Sequence, residues 1–157
     1  MIPFAAGADR LGRRWWVARL ASSGVEISTD RDRIDRQLVH DFLSEHSYWA
    51  RWRTREQNDR IIDASLCFGA YDEDGRQIAH ARVVGDGVAF GYLGDVFVVH
   101  EARGHGVGKA LMEAVLEHPD VRDLKRLALV TDDAHGLYEH YGFAPLDDVR
   151  KWMQRRR

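Results

Sequence analysis

The sequence lacks several features that are typical of particular classes of protein. It contains one cysteine, Cys67, among its 157 residues, which excludes an internal disulfide and suits a reducing compartment. No apolar run approaches the roughly 18 residues that a membrane-spanning helix needs. Neither sign of charge predominates, because 23 basic and 25 acidic residues give a formal net charge of -2. We therefore expect a cytoplasmic protein that binds neither nucleic acid nor membrane.

Apolar residues, in contrast, are plentiful. They make up 45% of the chain, which is enough for the core of one ordinary domain. We predict that Cys67, between Leu66 and Phe68, is a buried small hydrophobe and not a nucleophile. In residues 1–23, arginines interrupt the apolar residues, which predicts an N-terminal extension or arm. Residues 24–157 then form a single domain.

The most informative stretch is a strand, a glycine-rich turn and a helix between residues 92 and 117. Residues 95–99 are mostly β-branched or aromatic, as in a buried strand. The turn 103–109 contains three glycines, and an apolar stripe at helical spacing follows it. A glycine turn before a helix start presents free amides and the positive end of a dipole to an anion. The stretch therefore predicts a phosphate-binding site.

Two common phosphate-binding templates do not fit this turn. A P-loop needs glycine and a hydroxyl residue where Arg103 and Ala110 stand. A dinucleotide-binding fingerprint needs its third glycine where Lys109 stands.

The remaining elements predict an α/β (α+β) fold with a mixed sheet flanked by helices. Residues 54–57 have the capping-box pattern of a helix start. Gly94 indicates a β-bulge, and Phe143 is expected to begin a last strand. The predicted strands are 24–28, 66–71, 77–84, 88–99 and 127–130, and the predicted helices begin near residues 34, 54, 106 and 134.

Two motifs together resemble the GCN5-related N-acetyltransferase (GNAT) superfamily. Arg103, Gly106 and Gly108 form the pattern Arg-x-x-Gly-x-Gly of its acetyl-CoA-binding motif. Tyr138 and the Gly142-Phe143 pair match its second signature, Tyr-x-x-x-Gly-Phe. The resemblance implies a single domain whose mixed, mostly antiparallel sheet is splayed between the fourth and fifth strands.

The resemblance also implies an acetyl-CoA-dependent N-acetyltransferase that acts directly on a primary amine of a small molecule or a protein. The backbones of Phe97 and Val98 would pair with pantetheine, and the Val98 N–H would stabilise the oxyanion. Thr131 stands where members often carry an asparagine that contacts the cofactor. The implied coenzyme-binding residues are Phe97, Val98, Arg103, Gly104, His105, Gly106, Val107, Gly108, Lys109, Thr131 and Tyr138.

For the chemistry, the superfamily pattern makes Tyr138 the acid that protonates the departing thiolate. Asp95 is the best candidate for the base, although an ion pair with Arg82 is an equally good interpretation. His80 and Arg82 share a strand face and are candidates for the lining of the acceptor cleft. Neither pair of histidines near the two motifs has the four-residue spacing of a metal site, so we expect no metal.

The acceptor should be recognised by the connection between the first two helices. Tyr48, Trp49 and Trp52 lie there among Arg51 and Arg53. Such a surface suits an aromatic or anionic acceptor, or it packs the helix pair. The alternative to an enzyme is a non-catalytic acyl-CoA-binding module for sensing or partner binding. A homodimer remains open as well.

Overall fold

The computed structural model describes residues 4–8, 14–19 and 24–156. Its framework is one sheet whose seven strands, β1 to β7, lie in chain order. The strands from β1 to β6 pair antiparallel, whereas β6 and β7 pair parallel. The strands are β1 Phe4–Ala8, β2 Arg14–Arg19, β3 Glu26–Ser28, β4 Leu66–Tyr71, β5 Gln77–Gly85, β6 Phe90–Val98 and β7 Arg126–Ala128.

Helices cover both faces of this sheet. On one face, Leu111 and Val115 of α3 are fully buried with Phe68 of β4. On the other, α1 and α2 pack over Cys67 and Phe97, because successive residues of a strand face opposite sides. The α-helices are α1 Arg36–His46, α2 Arg55–Asp63, α3 Val107–Glu117, α4 Pro119–Arg122 and α5 His135–Glu139.

The predicted capping box at the start of α2 is confirmed. The Thr54 hydroxyl accepts a hydrogen bond from the Gln57 N–H, and the Gln57 side chain accepts one from the Thr54 N–H. Two of the N–H groups that a helix start leaves without intrahelical partners are satisfied in this way. The predicted apolar stripe of α3 is confirmed too, since its members are all buried, namely Val107, Ala110, Leu111, Ala114 and Val115.

An opening between β6 and β7 is the feature of the sheet that matters most for function. The two strands pair only from Phe90 opposite Arg126 to Tyr92 opposite Ala128. β6 then continues to Val98 with β5 as its partner. We call the gap that follows the last β6–β7 pair the seam. It confirms the predicted splay, since β6 and β7 are the fourth and fifth of the strands predicted from the sequence.

A β-bulge lies in β6 beside this seam. Arg82 pairs with Gly94 but His80 pairs with Phe97, so β6 has one residue more than β5 in this interval. The extra residue is accommodated at Asp95, whose φ of 52° is left-handed. The sequence placed the bulge at Gly94, one residue away. A bulge bends its strand and re-aims a side chain.

Two strands were not predicted from the sequence, and one predicted strand is absent. Within the predicted N-terminal arm, β1 and β2 extend the sheet, with Trp16 and Ala18 buried. Because arginines interrupt the apolar residues there, the short alternating pattern of these two strands was not recognised in the sequence. The last strand predicted at Phe143 is wrong, since residues 143–156 contain no strand. Phe143 instead packs edge-on against Tyr138, with ring centroids 5.7 Å apart.

Candidate active site

The glycine turn before α3 presents a row of unpaired amides. Gly104 and Gly106 have φ values of 80° and 79°, which residues with a side chain rarely adopt. Gly106 is the N-cap of α3, and no side chain caps that end. Among the residues that the structure describes, none accepts a hydrogen bond from the amides of residues 104–109. The turn therefore keeps its donors free for an anion.

The turn is open to its surroundings at two of its glycines. A Cβ atom built on Gly104 or Gly106 would meet no atom within 4 Å. At Gly108 it would lie 3.5 Å from the Val98 side chain, which brings the turn against the end of β6. The Arg103 guanidinium reaches back and donates from Nε to the Val98 carbonyl oxygen at 3.0 Å. Lys109 is exposed, 3.8 Å from Glu113.

Val98 directs its backbone groups into the seam. The Val99 N–H donates to the Ile78 carbonyl at 2.9 Å, and His80 pairs with Phe97. Because paired and unpaired positions alternate along an antiparallel ladder, the Val98 N–H and C=O point away from β5. The Phe97 backbone points into the ladder with β5, so this register disfavours its predicted contact with pantetheine. The Phe97 ring stacks on Phe42 at 3.9 Å between centroids.

Tyr138 and Thr131 lie on the β7 side of the seam. Both line a cleft of about 950 Å³ between β7, α5 and the C-terminal segment. Burial raises the pKa of the Tyr138 phenol, and the nearby Tyr48, Asp133 and Tyr92 raise it further. The Thr131 hydroxyl accepts a hydrogen bond from the Ala134 N–H at 3.1 Å, and its own proton remains available to a ligand.

Asp95, the candidate base, is held by three donors. Its Oδ2 atom accepts from Arg82 Nε at 2.6 Å and from Arg53 Nη1 at 2.7 Å. Its Oδ1 atom accepts from the Trp49 indole at 3.1 Å. Burial raises the pKa of this carboxyl group, but the two guanidinium groups outweigh burial and lower it overall. We therefore interpret Asp95 as a structural anion and not as a base, because its proton affinity is reduced and both oxygens are occupied.

The sequence model of the Acetyltransferase (GNAT) family matches residues 32–143. The chain belongs to this family. It therefore belongs to a family of acetyltransferases, enzymes that act on amine acceptors.

Relatives support the assignment. A Xanthomonas campestris pv. campestris protein of known crystal structure, assigned to the GNAT family of acetyltransferases, is 49% identical with a TM-score of 0.82. The match covers 84% of this chain and 92% of that one. Serotonin N-acetyltransferase 2, chloroplastic, from Oryza sativa subsp. japonica is 34% identical over 87% of this chain and 70% of its own length. GCN5-related N-acetyltransferase 1, chloroplastic, from Arabidopsis thaliana is 33% identical over 57% of this chain and 46% of its own.

In this GNAT protein the connection between α1 and α2 lies next to both sides of the seam. The Tyr48 hydroxyl accepts a hydrogen bond from the Asp132 N–H, just after β7, at 2.8 Å. Trp49 contacts Tyr48 edge-on and reaches Asp95 on β6. Trp52 is 70% exposed. Sequence analysis identified these residue types but not their hydrogen-bond partners, because the partners are 42 to 84 residues away in the chain.

His80 and Arg82 are buried in the sheet and do not line the cleft beside Tyr138. His80 is fully buried, and neither ring nitrogen has a hydrogen-bond partner in the part of the chain that the structure describes. Burial lowers its pKa to about 4. Cys67 is buried as predicted, and burial raises its pKa to about 12, which keeps the thiol protonated and poorly nucleophilic.

Within residues 4–8, 14–19 and 24–156, no three His, Cys, Asp or Glu side chains lie where they could hold a metal ion. None of the helices in these ranges is long and apolar enough to cross a membrane.

The burial of His80 predicts a pH-dependent stability. Below pH 6.5 the unfolded chain takes up a proton that the folded protein refuses until about pH 4. The free energy of unfolding should therefore fall by about 2 kcal/mol between pH 7.5 and 5 through this residue alone. Urea unfolding of the wild type and of His80→Phe at both pH values measures the difference. Other groups, such as His118, titrate in both proteins, so equal losses in the two would contradict the assignment.

Proposed function

We propose that this chain transfers an acetyl group from acetyl-CoA to the primary amine of a small aromatic molecule. The observation that carries the proposal is the row of free amides at residues 104–109, beside the seam into which Val98 directs its N–H. An anion-binding turn next to unpaired strand amides suits a long ligand with a diphosphate at one end. Coenzyme A has this shape, and its thioester would supply the acetyl group.

The residues of the turn and the seam would have distinct tasks. The amides of residues 104–109 would bind the pyrophosphate, with the α3 dipole adding a favourable field. The Val98 N–H would donate a hydrogen bond to the acetyl carbonyl oxygen, which gains negative charge as the amine attacks. The Thr131 hydroxyl would donate to the pantetheine chain. Arg103 would keep the end of β6 in place through the Val98 carbonyl.

Tyr138 would supply the proton that the departing sulfur needs. Its raised pKa keeps the phenol protonated at neutral pH, so that the hydroxyl group is a donor there. The neighbouring Asp133 contributes to that raised pKa, and its negative charge would attract an ammonium ion to the same place. The amine has to lose a proton before it attacks. Solvent water in the open seam would take this proton, because Asp95 is too strongly paired to accept it.

An aromatic acceptor suits the connection between α1 and α2. Tyr48 and Trp52 are 48% and 70% exposed, and Trp49 stands against Tyr48. Aromatic faces bind aromatic ligands by stacking and edge contacts. The name of the rice relative, a serotonin N-acetyltransferase, supports an arylalkylamine as the acceptor class.

A substitution in the turn should weaken coenzyme binding. Gly106→Ala places a side chain at a φ of 79°, which costs about 1–2 kcal/mol or distorts the turn. We expect the Kd for CoA in calorimetry to rise about tenfold. Gly75→Ala is the matched control, since Gly75 has a φ of 77° and open space in the β4–β5 hairpin. It should lose similar stability and keep the wild-type Kd. Equal CoA affinity in both variants would rule out the turn as the pyrophosphate site.

Removing the Tyr138 hydroxyl should slow the chemistry and not the binding. We expect Tyr138→Phe to lower kcat by about a hundredfold with little change in the KM for acetyl-CoA, because it deletes only the proton donor. Tyr141 is another partly buried tyrosine, two residues after α5, and Tyr141→Phe should retain kcat. The assignment fails if Tyr138→Phe turns over as fast as the wild type when thiol release is followed.

An acceptor panel tests the proposal as a whole. Tryptamine and phenethylamine should give a higher kcat/KM than putrescine or a lysine peptide, because only the first two carry a ring for the aromatic side chains between α1 and α2. A preference for the lysine peptide would replace the small aromatic acceptor by a protein. CoA binding without turnover of any amine would favour a non-catalytic acyl-CoA-binding module.

A further inference from the structure

The 47–53 loop, which connects α1 to α2, bridges the two strands that the seam separates. Trp49 and Arg53 attach it to Asp95 on β6. Tyr48 attaches it to the backbone at Asp132, which follows β7. The loop therefore touches both sides of the gap in which the acetyl group would lie.

The attachment to β6 is a buried ionic contact. The Asp95 side chain is 3% exposed, and those of Arg53 and Arg82 are 10% and 9% exposed. Hydrogen bonds between charged groups in such surroundings are stronger than neutral ones. Without the carboxylate, two guanidinium groups would be buried with no anion beside them. The protein could avoid this cost only by moving the guanidinium groups. Because Arg53 belongs to the loop and Arg82 to β5, the loop is the part that can move.

The same residue forms the bulge beside the seam. Asp95 has the left-handed φ of 52° that accommodates the extra residue of β6. This conformation aims its side chain at Trp49 and Arg53. The bend of β6 and the position of the loop thus depend on one residue.

We propose that Asp95 is a positioning residue that sets the affinity for the acceptor by holding the 47–53 loop across the seam. This inference rests on the proposed function for the identity of the acceptor. It assigns Asp95 no proton transfer. Its effect passes through Trp49 and Arg53, and the coenzyme turn at 104–109 is independent of it.

Amine binding measured without turnover tests this role. Tryptamine is titrated into the CoA-bound protein by calorimetry, for the wild type and for Asp95→Asn. The substitution keeps the size of the side chain but removes the charge, so we expect the Kd for tryptamine to rise about tenfold. The Kd for CoA should stay unchanged. Hydrogen exchange at the amides of the 47–53 loop should become faster, and that of residues 104–109 should not.

Further variants separate positioning from general loss of stability. Trp49→Phe removes one donor to Asp95 and keeps an aromatic ring, so it should raise the Kd for tryptamine less than Asp95→Asn. The double variant should bind no worse than Asp95→Asn alone, because both changes act through one contact. Arg36→Gln is the control, since it breaks the 2.6 Å contact between Arg36 and Asp63 that links α1 to α2 elsewhere. It should alter neither Kd nor loop exchange.

Unchanged loop exchange in Asp95→Asn, or faster exchange with unchanged tryptamine affinity, would overturn the inference. If Asp95→Asn does not fold, Trp49→Phe decides the question by the same two measurements. Amine turnover by the wild type is a separate observation. Its absence would defeat the proposed function, while a changed tryptamine Kd and faster loop exchange would still support the positioning role.

Discussion

The short pairing of β6 with β7 creates the seam around which the candidate site is arranged. Three residue pairs join the strands, and after Tyr92 and Ala128 the hydrogen bonds end. In a closed sheet the Val98 amide would be bonded to a neighbouring strand. Here Val98 has β5 on one side, and its N–H points into the seam on the other. An open edge in the middle of a sheet exposes backbone donors that natural sheets normally pair or cover, so it provides a place for an extended ligand.

The bulge at Asp95 lies beside this opening. A left-handed non-glycine residue costs roughly 1–3 kcal/mol, and here the cost is offset by the three donors that surround the carboxylate. The cluster also joins elements distant in the chain, namely β5, β6 and the loop between α1 and α2. The other half of the site is local, because the turn 103–109 and the start of α3 are contiguous. The proposed coenzyme site and the proposed acceptor site thus rest on different kinds of structure.

Elements with strong local signals were predicted well. The bounds of β4 agree with prediction, and the capping box of α2 and the apolar stripe of α3 were found as expected. Their signals are hydrophobic periodicity and hydrogen bonds between residues three or four apart, which depend little on the rest of the chain. β1, β2 and the absent last strand were missed. A short strand forms only where a neighbouring strand pairs with it, and sequence periodicity carries little information about that pairing.

The glycine turn, the helix behind it and membership of the GNAT family could be recognised from the order of the amino acids, because these depend on residue types at fixed, short spacings. The interpretation of Asp95, in contrast, required the packed fold. From the sequence alone, Asp95 was equally well interpreted as a base or as an ion-pair partner. Its three donors come from positions 13 to 46 residues away, and their approach depends on how α1, α2 and the sheet pack. The protonation of a buried carboxylate follows from such neighbours, so its role is fixed only once the chain has folded.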